Sequence, residues 1–151
     1  MKKKILVING PNLNLLGERE KDKYGSTSLK EIEGQCLNFS KKNNLTLSFF
    51  QSNVEGEIIN AIQESRKNMD GLIINAGGYT HTSVSIRDAL KLFDELVIEI
   101  HMSNIHSRED FRHKSMISGV SSGIIIGFGD QSYYLAVNAA INKISGVKNY
   151  G

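Results

Sequence analysis

Five short apolar runs, separated by segments with helical periodicity, predict an α/β fold: a doubly wound five-stranded parallel sheet with helices on both faces. Three observations carry this expectation. Ile5–Ile8, Gly71–Asn75, Leu96–Ile100 and Gly123–Gly127 lack polar alternation, as strands covered on both faces do. The intervening segments repeat their apolar residues every three or four positions. The alternation reads βαβαβαβαβα, and right-handed crossovers then favour the strand order 2-1-3-4-5.

Ile5–Ile8 is a β-branched run closed by Asn9-Gly10-Pro11, a strand entering a loop. Ser28-Leu29-Lys30-Glu31 fits a capping box, followed by an apolar helix face of Leu29, Ile32, Cys36, Leu37 and Phe39. Leu45–Gln51 alternates Leu45, Leu47 and Phe49 and reads as the second strand. Residues 55–67 carry Ile58, Ile59, Ala61 and Ile62 at helical spacing, and Gly71–Asn75 is the third strand. Ser83–Phe93 is helical through Val84, Ile86, Ala89, Leu90 and Phe93. Leu96–Ile100 and Gly123–Gly127 are the last two strands, with a helical turn expected around Arg108 and Arg112 between them. Gln131–Ser145 closes the pattern as a helix. The whole is a flavodoxin-like arrangement within a single domain, 1–151.

A chain of 151 residues is long enough to bury about two-thirds of its unfolded surface. The net charge of +2 excludes a polybasic nucleic-acid binder and an acidic disordered tail. Cys36 is alone, so no internal disulfide can form. No apolar run approaches the roughly 18 residues of a membrane span. Lys2–Lys4 with Ile5–Ile8 is too short for the core of a signal peptide, so a cytoplasmic location is expected. Only five of the 18 basic residues are arginine, at 19, 66, 87, 108 and 112, so each invites a reason.

In such sheets the ligand lies at the carboxyl ends of the strands, beside the switch point between strands 1 and 3. Those ends are polar: Asn9, Asn12 and Asn14 after the first, Asn75, Tyr79, Thr80 and His81 after the third. After the fourth come His101, Ser103, Asn104, His106, Arg108 and Arg112. A receiver-type phosphorylation site would need acidic residues where Asn9 and Asn75 stand. The first loop has no Ser or Thr to cradle a phosphate, and G-x-G-x-x-G and Walker patterns are absent. These absences weaken a flavin or nucleotide binding module without catalytic activity, which stands as the alternative reading on the flavodoxin-like arrangement alone. His101, His106 and His113 lack metal-ligand spacing, so no metal is expected.

Acid–base chemistry fits better. Glu99 and His101 lie two apart on one strand, so their side chains share a face. A carboxylate fixes an imidazole's tautomer and makes it a positioned general acid, although a plain strand-end pair has the same spacing. Arg19 and Tyr24 lie in a glycine-flanked polar segment, residues 17–25, with the composition of a lid. A tyrosine of ordinary pKa about 10 serves as a base only where cations stabilise the phenolate. Arg108 and Arg112 could hold a carboxylate or vicinal hydroxyls, or simply pair with Glu109 and Asp110. Asp88 reads by itself as a surface charge.

Four long segments, in order and across nearly the whole chain, resemble the type II 3-dehydroquinate dehydratases. They are I-L-V-I-N-G-P-N-L-N-L-L-G at the start and R-E-x-x-x-Y-G from Arg19 to Gly25. Ile73 to Ala89 gives I-I-N-A-G-G-Y-T-H-T-S-V-S-I-R-D-A, and Glu99 to Ser115 gives E-I-H-x-S-N-I-H-S-R-E-x-F-R-H-x-S. The resemblance implies anti elimination of water from 3-dehydroquinate through an enolate, giving 3-dehydroshikimate in the shikimate pathway. It implies Tyr24 as base, Arg19 stabilising the phenolate, Asn12 holding a water against the enolate oxygen, His101 as acid and Glu99 orienting it. It further implies Asn75, His81, Arg112 and the backbone amides of Met102 and Ser103 as substrate-binding groups. Asp88 resembles a residue supplied across a trimer interface of a dodecamer built from four trimers. No metal or organic cofactor is implied. Two positions depart from the family's habit: Met102 stands where Ile or Leu is common, and Glu20-Lys21 where many members have Glu-Pro. Without that proline the unfolded loop is freer, so closing the lid costs more.

Overall fold

The computed structural model describes residues 2–18, 22 and 26–145. Its five parallel strands are β1 (Lys3–Asn9), β2 (Leu45–Gln51), β3 (Gly71–Asn75), β4 (Leu96–His101) and β5 (Gly123–Ile126), in the order β2-β1-β3-β4-β5. Among the described residues, the helices that flank the sheet are α1 (Leu29–Lys42), α2 (Glu55–Ser65), α3 (Val84–Lys91) and α4 (Gln131–Ile144). The expected fold class and strand order are thus both present.

Alternation along the strands sends side chains to two cores. Ile5, Val7, Ile73, Ile98 and Ile100 pack on one face against Ile32, Cys36, Ala136, Val137 and Ala140 of α1 and α4. Ile8, Leu72, Ile74 and Val97 pack on the other against Ile58, Ile62, Ile86 and Leu90 of α2 and α3. Removing a single buried Ile side chain from either layer would cost about 2–5 kcal/mol, since a rigid sheet cannot collapse into the gap. Ser28 caps α1, its Oγ accepting from the Glu31 N–H at 3.1 Å. Ser83 caps α3 in the same way, accepting from Ile86 at 2.9 Å.

Three details differ from the sequence reading. β1 starts at Lys3, because Lys3 and Lys4 already pair with Leu45 and Thr46 of β2, and the Lys4 N–H donates to Asp70. The β4–β5 connection contains three short 3-10 turns and no α-helix, so Arg108 and Arg112 are not stacked one helical turn apart. Arg108 itself is extended, at φ −104° and ψ −164°, which interrupts any continuous helix. Instead of being covered on both faces, β5 lies at the sheet edge with Ile125 packed on the α4 side and Ile124, on the other face, 46% exposed.

The strand ends are brought close by glycine. The Gly10 N–H donates to the Asn75 carbonyl at 2.7 Å, and a Cβ at Gly10 would meet the Ala76 oxygen at 2.3 Å. Gly77 sits at φ 59° against Pro11, where an L side chain is strained. These two positions let the β1 and β3 loops converge on one cleft.

Candidate active site

A cavity of about 140 Å³ opens at the carboxyl ends of β1, β3 and β4. Asn12, Asn75, His81, His101, Met102, Ser103 and Arg112 all line it, so seven of the expected site residues converge. Arg108, weighed with Arg112 as a possible anion or hydroxyl ligand, lines it too, as do Pro11, Leu13, Leu16 and Ile105, which were not expected there as site residues. The leucines read only as loop apolars. Asp88 is exposed on α3 and does not line the cavity. Arg19 and Tyr24 lie outside the described residues.

The β4 alternation puts Glu99 and His101 on one face. Glu99 is fully buried and its Oε2 accepts from His101 Nε2 in a short hydrogen bond. Ser115 Oγ donates to the same oxygen at 2.9 Å and Ser118 Oγ to Oε1 at 2.5 Å. Ser115 is in turn fixed by the backbone amides of Ile117 and Ser118, at 3.2 and 3.1 Å. Burial pushes the Glu99 carboxyl up. The bonds from His101, Ser118 and Ser115, with the His101 charge, outweigh burial and hold it below its ordinary value. With Nε2–H committed to Glu99, Nδ1 is the His101 nitrogen left for a bound molecule.

This geometry has a stability consequence. A carboxyl whose folded pKa is depressed stabilises the fold above its unfolded pKa, and the contribution is lost as pH falls through the folded value. Ser118→Ala removes one of the bonds that depress it, so the loss begins at higher pH. The acid-unfolding midpoint of this variant, followed by circular dichroism, should lie above that of the wild type. An unchanged midpoint would show that Ser118 does not stabilise the ionised form.

His81 stands beside His101, ring centroids 6.3 Å apart and 24° from parallel. Burial lowers its imidazole first, and the charges of His101 and Arg112 act in the same direction. The Lys114 carbonyl and Glu99 oppose them without reversing the shift. His81 is therefore neutral at pH 7. Its Nδ1–H donates to the Lys114 carbonyl at 2.8 Å, leaving Nε2 as an acceptor. Arg112 spends Nε on Glu109 at 3.0 Å, which leaves its terminal nitrogens for an anion or hydroxyls. Arg108 Nη1 donates to Ser103 Oγ at 3.2 Å. Asn12 is left-handed, at φ 69°, and its N–H donates to Asn53 Oδ1 at 3.0 Å. Among the described residues no group of three or more His, Cys, Asp and Glu could hold a metal ion. None of the described helices is long and apolar enough to cross a membrane.

Residues 3–141 match the family model described as dehydroquinase class II. The chain belongs to this family. It is 54% identical over 136 residues to a 3-dehydroquinate dehydratase of a Nitratiruptor species, covering 90% of this chain and 87% of that one. A 3-dehydroquinate dehydratase of Campylobacter jejuni is 50% identical over 146 residues, 97% of this chain and 92% of the relative. The type II dehydroquinase of Propionibacterium acnes superposes with a TM-score of 0.91 at 34% identity, covering 94% of this chain and 98% of that structure. These dehydroquinases lend no support to a non-catalytic flavin or nucleotide module.

Proposed function

We propose that the chain is a hydro-lyase that removes water from 3-dehydroquinate, giving 3-dehydroshikimate, by anti elimination through an enolate in the shikimate pathway. The observation that carries this reading is the buried, ionised Glu99 held against His101 at the wall of a cavity rich in hydrogen-bonding groups. A base takes the proton α to the ketone, and its electron pair moves into the enolate. As the enolate collapses the C–O bond breaks, and the leaving hydroxyl takes a proton from His101 to depart as water. Glu99 supplies the counter-charge to the imidazolium and keeps Nε2 occupied, so delivery is from Nδ1.

Tyr24 fills the role of base, with Arg19 stabilising its phenolate, and Asn12 holds a water at the enolate oxygen. Arg112, Asn75, neutral His81 and the amides of Met102 and Ser103 bind the substrate's hydroxyls and carboxylate. The reaction needs neither redox nor Lewis-acid chemistry, so no cofactor is called for. Exposed Val84 on α3, Leu92 just past its end and Leu135 on α4 suit burial between copies of the chain. We place Asp88, on that same helix, at a neighbour's cavity across a trimer interface of a cytoplasmic dodecamer of four trimers.

The deciding experiment mixes the purified protein with 3-dehydroquinate and follows the ultraviolet absorbance of the conjugated product, with and without a chelator. Absorbance should rise equally in both. A flat trace would remove the proposed activity, and a chelator-sensitive rise would remove the cofactor-free mechanism.

A further inference from the structure

On the opposite face of the sheet from His101, Tyr133 of α4 reaches the ends of two strands. It is 1% exposed, and its hydroxyl donates to Asn9 Oδ1 at 2.6 Å while accepting from Asn75 Nδ2 at 3.0 Å. One backbone group fixes the polarity of this chain. The Gly77 N–H, which can only donate, meets Asn75 Oδ1 at 3.3 Å. Asn75 must therefore present Nδ2 to Tyr133, the tyrosine must accept there, and its own proton must go to Asn9. Burial pushes the Tyr133 phenol up, so it stays neutral and keeps that proton at any working pH.

Asn75 is 4% exposed and lines the cavity. With Oδ1 engaged by Gly77 and one N–H by Tyr133, its second N–H is the donor it can offer a bound molecule. We propose that Tyr133 is a positioning residue for the dehydratase: together with Asn9 it locks the Asn75 amide so that a substrate oxygen meets an N–H and not a carbonyl. An amide rotated by half a turn would present its oxygen instead and reject the same acceptor. The inference rests on the proposed reaction for its substrate, but the amide orientation itself does not.

The test is a double-mutant cycle with crystallography beside it. Tyr133→Phe should lower kcat/KM for 3-dehydroquinate about tenfold, mostly through KM, with kcat nearly kept. In an Asn75→Ala background the same change should cost less than about twofold, because the group it acts through is gone. Asn9→Ser, which withdraws the acceptor but leaves the aromatic ring packed, should show the same dependence on Asn75. It serves in place of Tyr133→Phe should that variant fold poorly. Equal losses in both backgrounds would mean a general packing effect and overturn the proposal. The Tyr133→Phe crystal structure should show the Asn75 amide rotated or in two orientations. A single unchanged amide, still bonded to Gly77, would overturn it whatever the kinetics show. A wild-type protein that leaves 3-dehydroquinate unaltered would sink the reaction reading, and the crystallographic comparison alone would then decide the relay.

Discussion

Replacing His101 with Ala is expected to lower kcat on 3-dehydroquinate about 10³-fold, the contribution of a well-placed general acid. Hydroxide is a poor leaving group, so C–O cleavage without protonation stalls at the enolate. The loss should fall on kcat and leave KM within a few fold, since Asn75, His81 and Arg112 remain to bind the ground state. The fold should survive. The His101 carbonyl, which receives Gly127 N–H and Ser132 Oγ, is a backbone group, and Glu99 keeps its bonds to Ser115 and Ser118. Thermal unfolding and steady-state kinetics on the same preparation check both statements. A stable variant retaining a tenth or more of wild-type kcat would remove His101 from the acid role.

Why could that residue be found in the sequence, when its support could not? A parallel central strand is buried on both faces, so β1, β3 and β4 announce themselves as unbroken apolar runs. Period-two alternation then aligns Glu99 with His101, and strand ends in a doubly wound sheet point to one crevice. Everything in that chain of reasoning is local or topological. The Glu99 clamp is neither: Ser115 and Ser118 come from a connection whose path depends on the carboxylate they bind. Tyr133 likewise sits 58 positions from Asn75 on a helix face that periodicity marks only as core. The helical turn expected around Arg108 and Arg112 failed for the same kind of reason. It has few apolar residues at helical spacing, and its polar side chains are drawn into the site instead.

Tyr24→Phe is expected to lower kcat by a similar factor, about 10³-fold, but at the other end of the reaction. The elimination needs a base on the face of the substrate opposite the acid. His81, neutral and with Nε2 unspent on the protein, is the rival on chemical grounds. Yet its ring lies alongside His101, 6.3 Å away and near parallel, so both would approach from the same side. That geometry suits syn and not anti removal. The base must then be a different group, and the sequence offers Tyr24, which Arg19 accompanies in the polar 17–25 segment. Deuterium exchange separates the two halves of the mechanism. In heavy water His101→Ala should still exchange the substrate's α-proton while releasing little product, because the enolate forms and returns. Tyr24→Phe should neither exchange nor release. If the phenylalanine variant exchanged at the wild-type rate, or if His81→Ala rather than Tyr24→Phe stopped exchange, the base would be His81 and the stereochemical assignment would fall with it.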